Sequence, residues 1–327
     1  MLRNLATSEQ RRLLDCYNNI WWSGQVPEAW RTAIVAPILK SNKPANELSS
    51  YRPVSLTSAA CKVMEAIALA RLEWVARACG FLADQQTGFR RRRCTADSIA
   101  DVVSTLEDAR ASGDLAMLLL IDVKGAFDGL PHAVVQQALD LLGIGGNLRR
   151  FLSSFLNDRT LRVRVGHARS TPRPVAAGVP QGSVVSPFIF YLALARLPAA
   201  LPTDPHYKVE CSIYADDIAL WVRGPPQSSR HVRLALQRAL DTTAAYLGSI
   251  GLSAPREAER RRGREGREVV RMGSVGGAGG GGWGLEVAGG DDGPFRSNRS
   301  LHGREPVTWA LSHRMQQGMQ VGGSTAL

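Results

Sequence analysis

The sequence predicts an α/β fold of the α+β kind: an antiparallel sheet with helices on one face, followed by a disordered C-terminal tail. Three observations predict it. Short apolar runs, two of them meeting carboxylates, alternate with longer stretches of helical period. Their order is strand with Asp, helices, hairpin, helix, acidic hairpin, helix. The composition also breaks near residue 254: of the 32 glycines, 17 fall between Pro255 and Leu327.

The elements follow in chain order. A helix fits Glu9 to Trp22, with Ser8 as its N-cap. Ile34 to Leu39 reads as a strand, and Pro37 inside it points to an edge or hairpin position. Ala60 to Ala78 and Ala96 to Ala111 have helical pattern. Leu115 to Asp122, LAMLLLID, is a buried strand closed by a carboxylate. Helices are expected over Val134 to Leu142 and Leu148 to Leu156. LRVRV, Leu161 to Val165, alternates as a half-exposed strand does. Ser186 and Pro187 suit N-cap and N1 of a helix running to about Ala195. Glu210 to Val222 reads as two strands meeting at a turn, and Ser228 to Leu247 as an amphipathic helix. Beyond residue 254, Gly this dense opposes helix and strand alike, which predicts disorder.

Bulk properties narrow the function. Forty Lys and Arg against 29 Asp and Glu give a net charge of +11, a balance suited to a polyanionic partner such as nucleic acid. A basic solvated surface without a specific partner has the same composition. The five cysteines are scattered, with no CxxC pair, so neither a disulfide frame nor a zinc site is expected. No secretory leader and no apolar run long enough to span a bilayer is evident. No membrane role and an intracellular location, nuclear or cytoplasmic, are therefore expected. A phosphate-binding GxxxxGK[ST] loop and a GxSxG elbow are both missing, and the six histidines lack metal-ligand spacing. No pattern specifies an oligomeric state.

The chemistry lies at the strand ends. Asp216 and Asp217 are flanked by Ile213-Tyr214-Ala215 and by Ile218-Ala219-Leu220-Trp221. Two adjacent carboxylates among apolar strand residues are costly unless their charge is compensated. A divalent cation is the natural compensation, because Mg²⁺ takes one or two protein carboxylates plus substrate phosphates. Asp122 ends the other apolar strand. If the strands are neighbours, Asp122 and Asp216 can share two metals about 3.5–4 Å apart, as in-line phosphoryl displacement requires. An Asp-rich surface turn is the competing explanation for the pair alone.

Three segments carry a family resemblance: IDVKGAFD (Ile121 to Asp128), AGVPQGSVVSP (Ala177 to Pro187) and YADD (Tyr214 to Asp217). In this order and at these separations they resemble the central motifs of reverse transcriptases. VPEAWRTAIVAPILKSNK, SSYRPVSLTSAACKVMEAI and ADQQTGFRRRRCTADSI resemble the fingers of non-LTR, LINE-type retrotransposon enzymes. The resemblance covers about residues 10 to 253. It implies an N-terminal helix and fingers over 1–115, a polymerase palm over 116–253, and a tail over 254–327 in place of a thumb. It implies RNA-directed DNA polymerase activity with Mg²⁺ (or Mn²⁺) as cofactor and an RNA template, a DNA primer and dNTPs as partners.

The resemblance also implies roles. Asp122 and Asp216 would hold both metals, Asp217 would assist, and the Val123 carbonyl would be a further ligand. Phe127 would stack under the incoming sugar and exclude a 2′-hydroxyl. Backbone N–H groups of Gly125 and Ala126 would face the triphosphate. Gln181 and Gly182 would line the nucleotide and template pocket. Lys40, or Lys43 in its place, and Arg52 would clamp the triphosphate. Asp128 would be structural, and Arg90 to Arg93 would suit phosphate contact.

The chain departs from the family after Gly251-Leu252-Ser253, where APREAERRRG follows and no lysine appears downstream of Lys208. A thumb, endonuclease or RNase H segment is not recognisable there, and a frameshift would explain the Arg/Gly-rich tail. Two readings stay open: an active reverse transcriptase, and a catalytically inactive nucleic-acid-binding remnant. An RNA-dependent RNA polymerase shares the two-metal logic but would be obstructed by Phe127.

Overall fold

The computed structural model describes residues 5–123, 125–253, 257–262 and 268–273, the last two ranges by their backbone only. The chain divides into two compact units, each assembled from separated segments.

The first unit takes in residues up to Ala83, Gly125–Arg196 and Ile250–Leu252. Its helices are α1 (Thr7–Ser23), α2 (Glu28–Arg31), α3 (Ala59–Ala78), α5 (His132–Leu141), α6 (Gly146–Leu156) and α7 (Ser186–Leu194). Its strands are β1 (Thr32–Leu39), β2 (Tyr51–Leu56), β4 (Arg159–Val165), β5 (Ala168–Arg169) and β6 (Arg173–Val175). Helix α7 is nearly apolar throughout and buried on all sides, with Phe188, Ile189, Phe190 and Tyr191 each at most 2% exposed. Each such side chain contributes roughly 1.5–3 kcal/mol by leaving water. Its N-cap is Val185, not the expected Ser186, so Ser186 and Pro187 begin the helix itself.

Of the edge and hairpin positions expected for strand β1, the structure has the hairpin: β1 is an inner strand whose antiparallel neighbour is the next strand in the chain. It pairs antiparallel with β2 through Ile34–Leu39 and parallel with β4 through Thr32–Val35. Pro37 is tolerated because it lies beyond the β4 pairing, where β1 has one neighbour and needs no second donor. Strand β4 also pairs antiparallel with β6 and β5. Ala33 and Val35 are buried while Ile38 is more than half exposed, so one face of this sheet meets the core and the other meets solvent.

The second unit takes in Asp84–Lys124, Leu197–Ser249 and the residues from Ser253 onward. It contains α4 (Thr95–Ser112), α8 (Leu197–Ala200), α9 (Ser229–Ser249), β3 (Leu115–Asp122), β7 (Glu210–Tyr214), β8 (Asp217–Gly224), β9 (Glu257–Arg262) and β10 (Glu268–Gly273). The sheet order is β7-β8-β3-β10-β9. All neighbours are antiparallel except β3 and β10, which run parallel, so the sheet is mixed where an antiparallel one was expected. Val102, Leu106 and Ala109 of α4 pack on Ala116, Leu118, Ala219 and Trp221. The alternate residues Met117, Leu119, Ile121, Ile218, Leu220 and Val222 are buried too. Both faces of β3 and β8 are therefore covered, which corrects the expectation of one covered face. It also explains why LAMLLLID reads as a continuous apolar run.

The expectation of a wholly disordered tail also needs correction. Residues 257–262 and 268–273 form a hairpin, and Glu268–Arg271 pair in parallel with Met117–Leu120. The physical reason is the open edge of β3, a row of unpaired backbone groups that any extended segment can satisfy. Val269 and Val270 supply the local strand preference that the glycines around them lack. The rest of the tail lies outside the described residues.

Candidate active site

The acidic turn is built from the register of three strands. Strands β7 and β8 close on a two-residue loop, with Tyr214 opposite Asp217 and Ala215-Asp216 between them. Ala215 sits at φ 55°, a left-handed conformation that costs a non-glycine residue about 1–2 kcal/mol. Such strain persists only where the surroundings enforce it. Here residues 85–88 lie along the outer edge of β7. The Ile213 N–H donates to the Gln85 carbonyl at 2.8 Å, and the Thr87 N–H donates to the Ile213 carbonyl at 3.0 Å. A side chain on Gly88 would stand 2.5 Å from the Ala215 nitrogen. Gly88 thus lets the backbone of this segment seat directly against the turn.

Asp122 is the register partner of Asp217 across the β3–β8 pair, and the Val123 N–H donates to the Asp216 carbonyl at 3.0 Å. Register partners point to the same face, so the Asp122 and Asp217 side chains stand side by side. All three aspartates are half-buried, and Val123 is buried. Burial raises the pKa of the neighbouring Tyr214 phenol, with Cys94 adding to the effect. Among the described residues no group of three or more His, Cys, Asp and Glu side chains is close enough to hold an ion. Two adjacent carboxylates with oxygen donors only nonetheless fit a hard divalent cation, which completes its shell with water and substrate oxygens.

The residues expected at the nucleotide belong to the first unit. Arg52 lies on β2 opposite Ile38. Lys40 follows β1 and donates from Nζ to the Ser49 carbonyl at 3.0 Å, while Lys43 is exposed in the following loop. Gly125, at φ 58°, begins a turn in which its carbonyl accepts from the Gly129 N–H at 2.6 Å. Ala126 is buried. Phe127 is half-buried with its ring 5.1 Å from that of Phe190 in α7, and its carbonyl accepts from the Val179 N–H at 2.7 Å.

The Gln181 carbonyl accepts from the Ser55 N–H at 2.7 Å, and its side-chain amide donates to Asp128 Oδ2 at 3.0 Å. Gly182 has φ 114°, and a Cβ there would stand 2.6 Å from the Ser55 carbonyl oxygen. The close approach that requires this glycine is thus made to strand β2. Asp128 is exposed at its surface, yet loss of hydration raises its carboxyl pKa; the Gln181 hydrogen bond partly offsets this. Arg90 donates to the Gln86 carbonyl at 3.3 Å and lies 3.8 Å from Asp84, so it is partly engaged inside the protein.

Two residues of this region were not singled out from sequence. One is Gly88, described above. The other is Glu65, fully buried on α3, whose Oε2 accepts from the Ser183 hydroxyl at 2.5 Å and the Val184 N–H at 2.6 Å. It thereby pins the segment after Gln181-Gly182. A lone Glu on the apolar face of α3, beside Cys61, Met64 and Ala68, was the available signal.

Residues 38–257 match the model of the reverse transcriptase (RNA-dependent DNA polymerase) family. The chain is 33% identical over 201 residues to the probable RNA-directed DNA polymerase from transposon X-element of Drosophila melanogaster, covering 60% of this chain and 22% of that protein. It is 33% identical over 233 residues to the corresponding protein of transposon BS from the same organism, covering 70% and 25%. The RNA-directed DNA polymerase from mobile element jockey is 31% identical over 207 residues, covering 62% and 22%. The chain thus spans about a quarter of the length of these relatives. A solved telomerase from Candida tropicalis covers 76% of this chain and 43% of its own at 11% identity and a TM-score of 0.49. No helix among the described residues is long and apolar enough to cross a membrane. The chain belongs to the reverse transcriptase family, in its non-LTR retrotransposon branch.

Proposed function

We propose that this reverse transcriptase chain catalyses RNA-directed DNA synthesis, with Asp122, Asp216 and Asp217 as the metal-holding carboxylates. One observation carries the reading: the β3–β8 register sets Asp122 beside Asp217, next to a strained turn that carries Asp216. A surface turn rich in Asp has no reason to be wedged against a second carboxylate-ending strand. With them goes the Val123 carbonyl as a further oxygen ligand. Mg²⁺ or Mn²⁺ ions held there would supply activation of the primer 3′-hydroxyl and charge neutralisation at the leaving pyrophosphate.

The chain's own residues would do the rest. Arg52 would grip the triphosphate as a planar fork and Lys40 as a point charge, with backbone N–H groups of Gly125 and Ala126 adding neutral donors. Phe127 would lie under the deoxyribose and leave no room for a 2′-hydroxyl. Gln181 and Gly182 would line the nucleotide and template pocket. The 3′-hydroxyl would lose its proton to solvent, its oxygen would bond to the α-phosphorus, and the bond from that phosphorus to the α–β bridging oxygen would break, releasing pyrophosphate. The fingers would span 1–115 and the palm 116–253.

The test is Mg²⁺-dependent dTTP incorporation on poly(rA)/oligo(dT) by the purified chain beside its Asp216→Asn variant. Incorporation by the parent and none by the variant is expected; equal incorporation would sink the metal-site assignment. A second reading, a nucleic-acid-binding remnant without catalysis, is favoured by the Arg/Gly-rich sequence that follows Ser253. Template binding without incorporation would select it.

A further inference from the structure

The solvent face of the first unit's sheet carries arginines that the roles above leave unused. Along β4, Arg162 and Arg164 alternate with Val163 and Val165. Arg162 is the register partner of Ile34 on β1, and Ile34 faces the same side as Ile38, the partner of Arg52 on β2. Arg164 stands directly opposite Arg169 across the β4–β5 hairpin. Arg162, Arg164 and Arg169 are all exposed, and among the described residues none of them makes an ion pair. From β2 to β5 the row spans three strand spacings, about 14 Å.

The cross-strand pair is the informative feature. Directly opposed residues of an antiparallel ladder have their Cβ atoms about 4.5–5.5 Å apart, and like charges there are destabilising. Nothing in the packing asks for arginine at either position, since both side chains stand in solvent. The Gly166-His167 turn, with Gly166 at φ 59°, holds the two strands in this register. The arrangement is unfavourable in the free protein and becomes favourable once an anion bridges the two guanidinium groups. A row of this length suits a string of regularly spaced charges better than a single ion.

We infer that Arg162, Arg164 and Arg169 form a track for the sugar-phosphate backbone of a nucleic-acid strand, running across the sheet toward Arg52. This rests on the nucleic-acid reading proposed above and adds to it a defined surface.

The experiment uses the full chain and fluorescent oligo(rA), with affinity measured against salt. In the variant Arg162→Gln/Arg164→Gln/Arg169→Gln, affinity should fall at least tenfold at low salt. The salt slope should become shallower by about 2, since each single-strand phosphate contact contributes about 0.7. A control, Arg11→Gln/Arg12→Gln/Arg230→Gln, removes the same charge from exposed sites elsewhere and should keep both values. Without nucleic acid, Arg164→Gln should raise the melting temperature at low salt, because a like-charge pair is relieved. Equal loss in track variant and control would show that net charge alone acts, and would overturn the track while leaving the nucleic-acid reading standing. No RNA binding by the parent chain would overturn both. Unchanged RNA binding with loss of binding to phosphatidylserine vesicles would overturn the track in favour of a lipid surface.

Discussion

The two sheets of this chain meet water differently. The β7-β8-β3 ladder is buried on both faces and ends in carboxylates, whereas the β2-β1-β4-β5 sheet is buried on one face and basic on the other. A doubly covered strand cannot slip register without moving its whole set of side chains, so it is a rigid support for groups that must sit within a fraction of an ångström. A half-open sheet tolerates charge on its free face and can present that charge to a large partner. Under the proposed function, chemistry would belong to the doubly covered sheet and grip to the open one.

The largest effect is expected from Asp216→Asn. Loss of a metal-holding carboxylate should reduce primer extension by at least about 10³-fold, because several kcal/mol of transition-state stabilisation go with the ion. Retained extension would place the chemistry elsewhere. Next comes packing. Leu119→Ala, in the doubly covered strand, should cost about 2–5 kcal/mol in urea unfolding. Ile38→Ala, on the open face, should cost well under 1 kcal/mol; similar costs would erase the distinction between the sheets.

Gly182→Ala should destabilise by about 2 kcal/mol, since its Cβ would meet the Ser55 carbonyl at 2.6 Å in a left-handed backbone. An unchanged melting temperature would show that β2 can move aside. Phe127→Val should improve ribonucleotide use by about 10- to 100-fold in kcat/KM, the scale of a pocket change in size. Equal discrimination before and after would leave Phe127 as a partner of Phe190 and nothing more.

The smallest effect concerns Asp128, whose folded pKa lies above the unfolded value. Its contribution to stability is fully present below the unfolded pKa and is lost as pH rises through the folded pKa. Asp128→Asn should therefore flatten the decline in melting temperature just above the ordinary carboxylate range. A decline that persists unchanged would assign it to other groups.

Much of the candidate site was legible because its residues are contiguous. LAMLLLID announced a buried strand with a terminal carboxylate, and the structure has β3 over those residues. ECSIYADDIALWV announced a hairpin, and the turn falls at Ala215-Asp216. What stayed hidden depends on partners distant in the chain. YRPVSL did not read as a strand, because its pairing with β1 is supplied by the tertiary structure. The role of Glu65 needed Ser183 and Val184, more than a hundred residues away. The role of Gly88 needed the backbone of Ala215.

By itself, the sequence determined that this chain has a reverse transcriptase core, where its carboxylates lie, and that its surface is basic, because local pattern and motif order carry those facts. Only the tertiary structure decided that Asp122 faces Asp217, that β3 lends its open edge to residues 268–271, and that Arg164 stands against Arg169. The physical reason is register: hydrogen bonds between strands remote in sequence choose which side chains become neighbours, and no local preference encodes that choice.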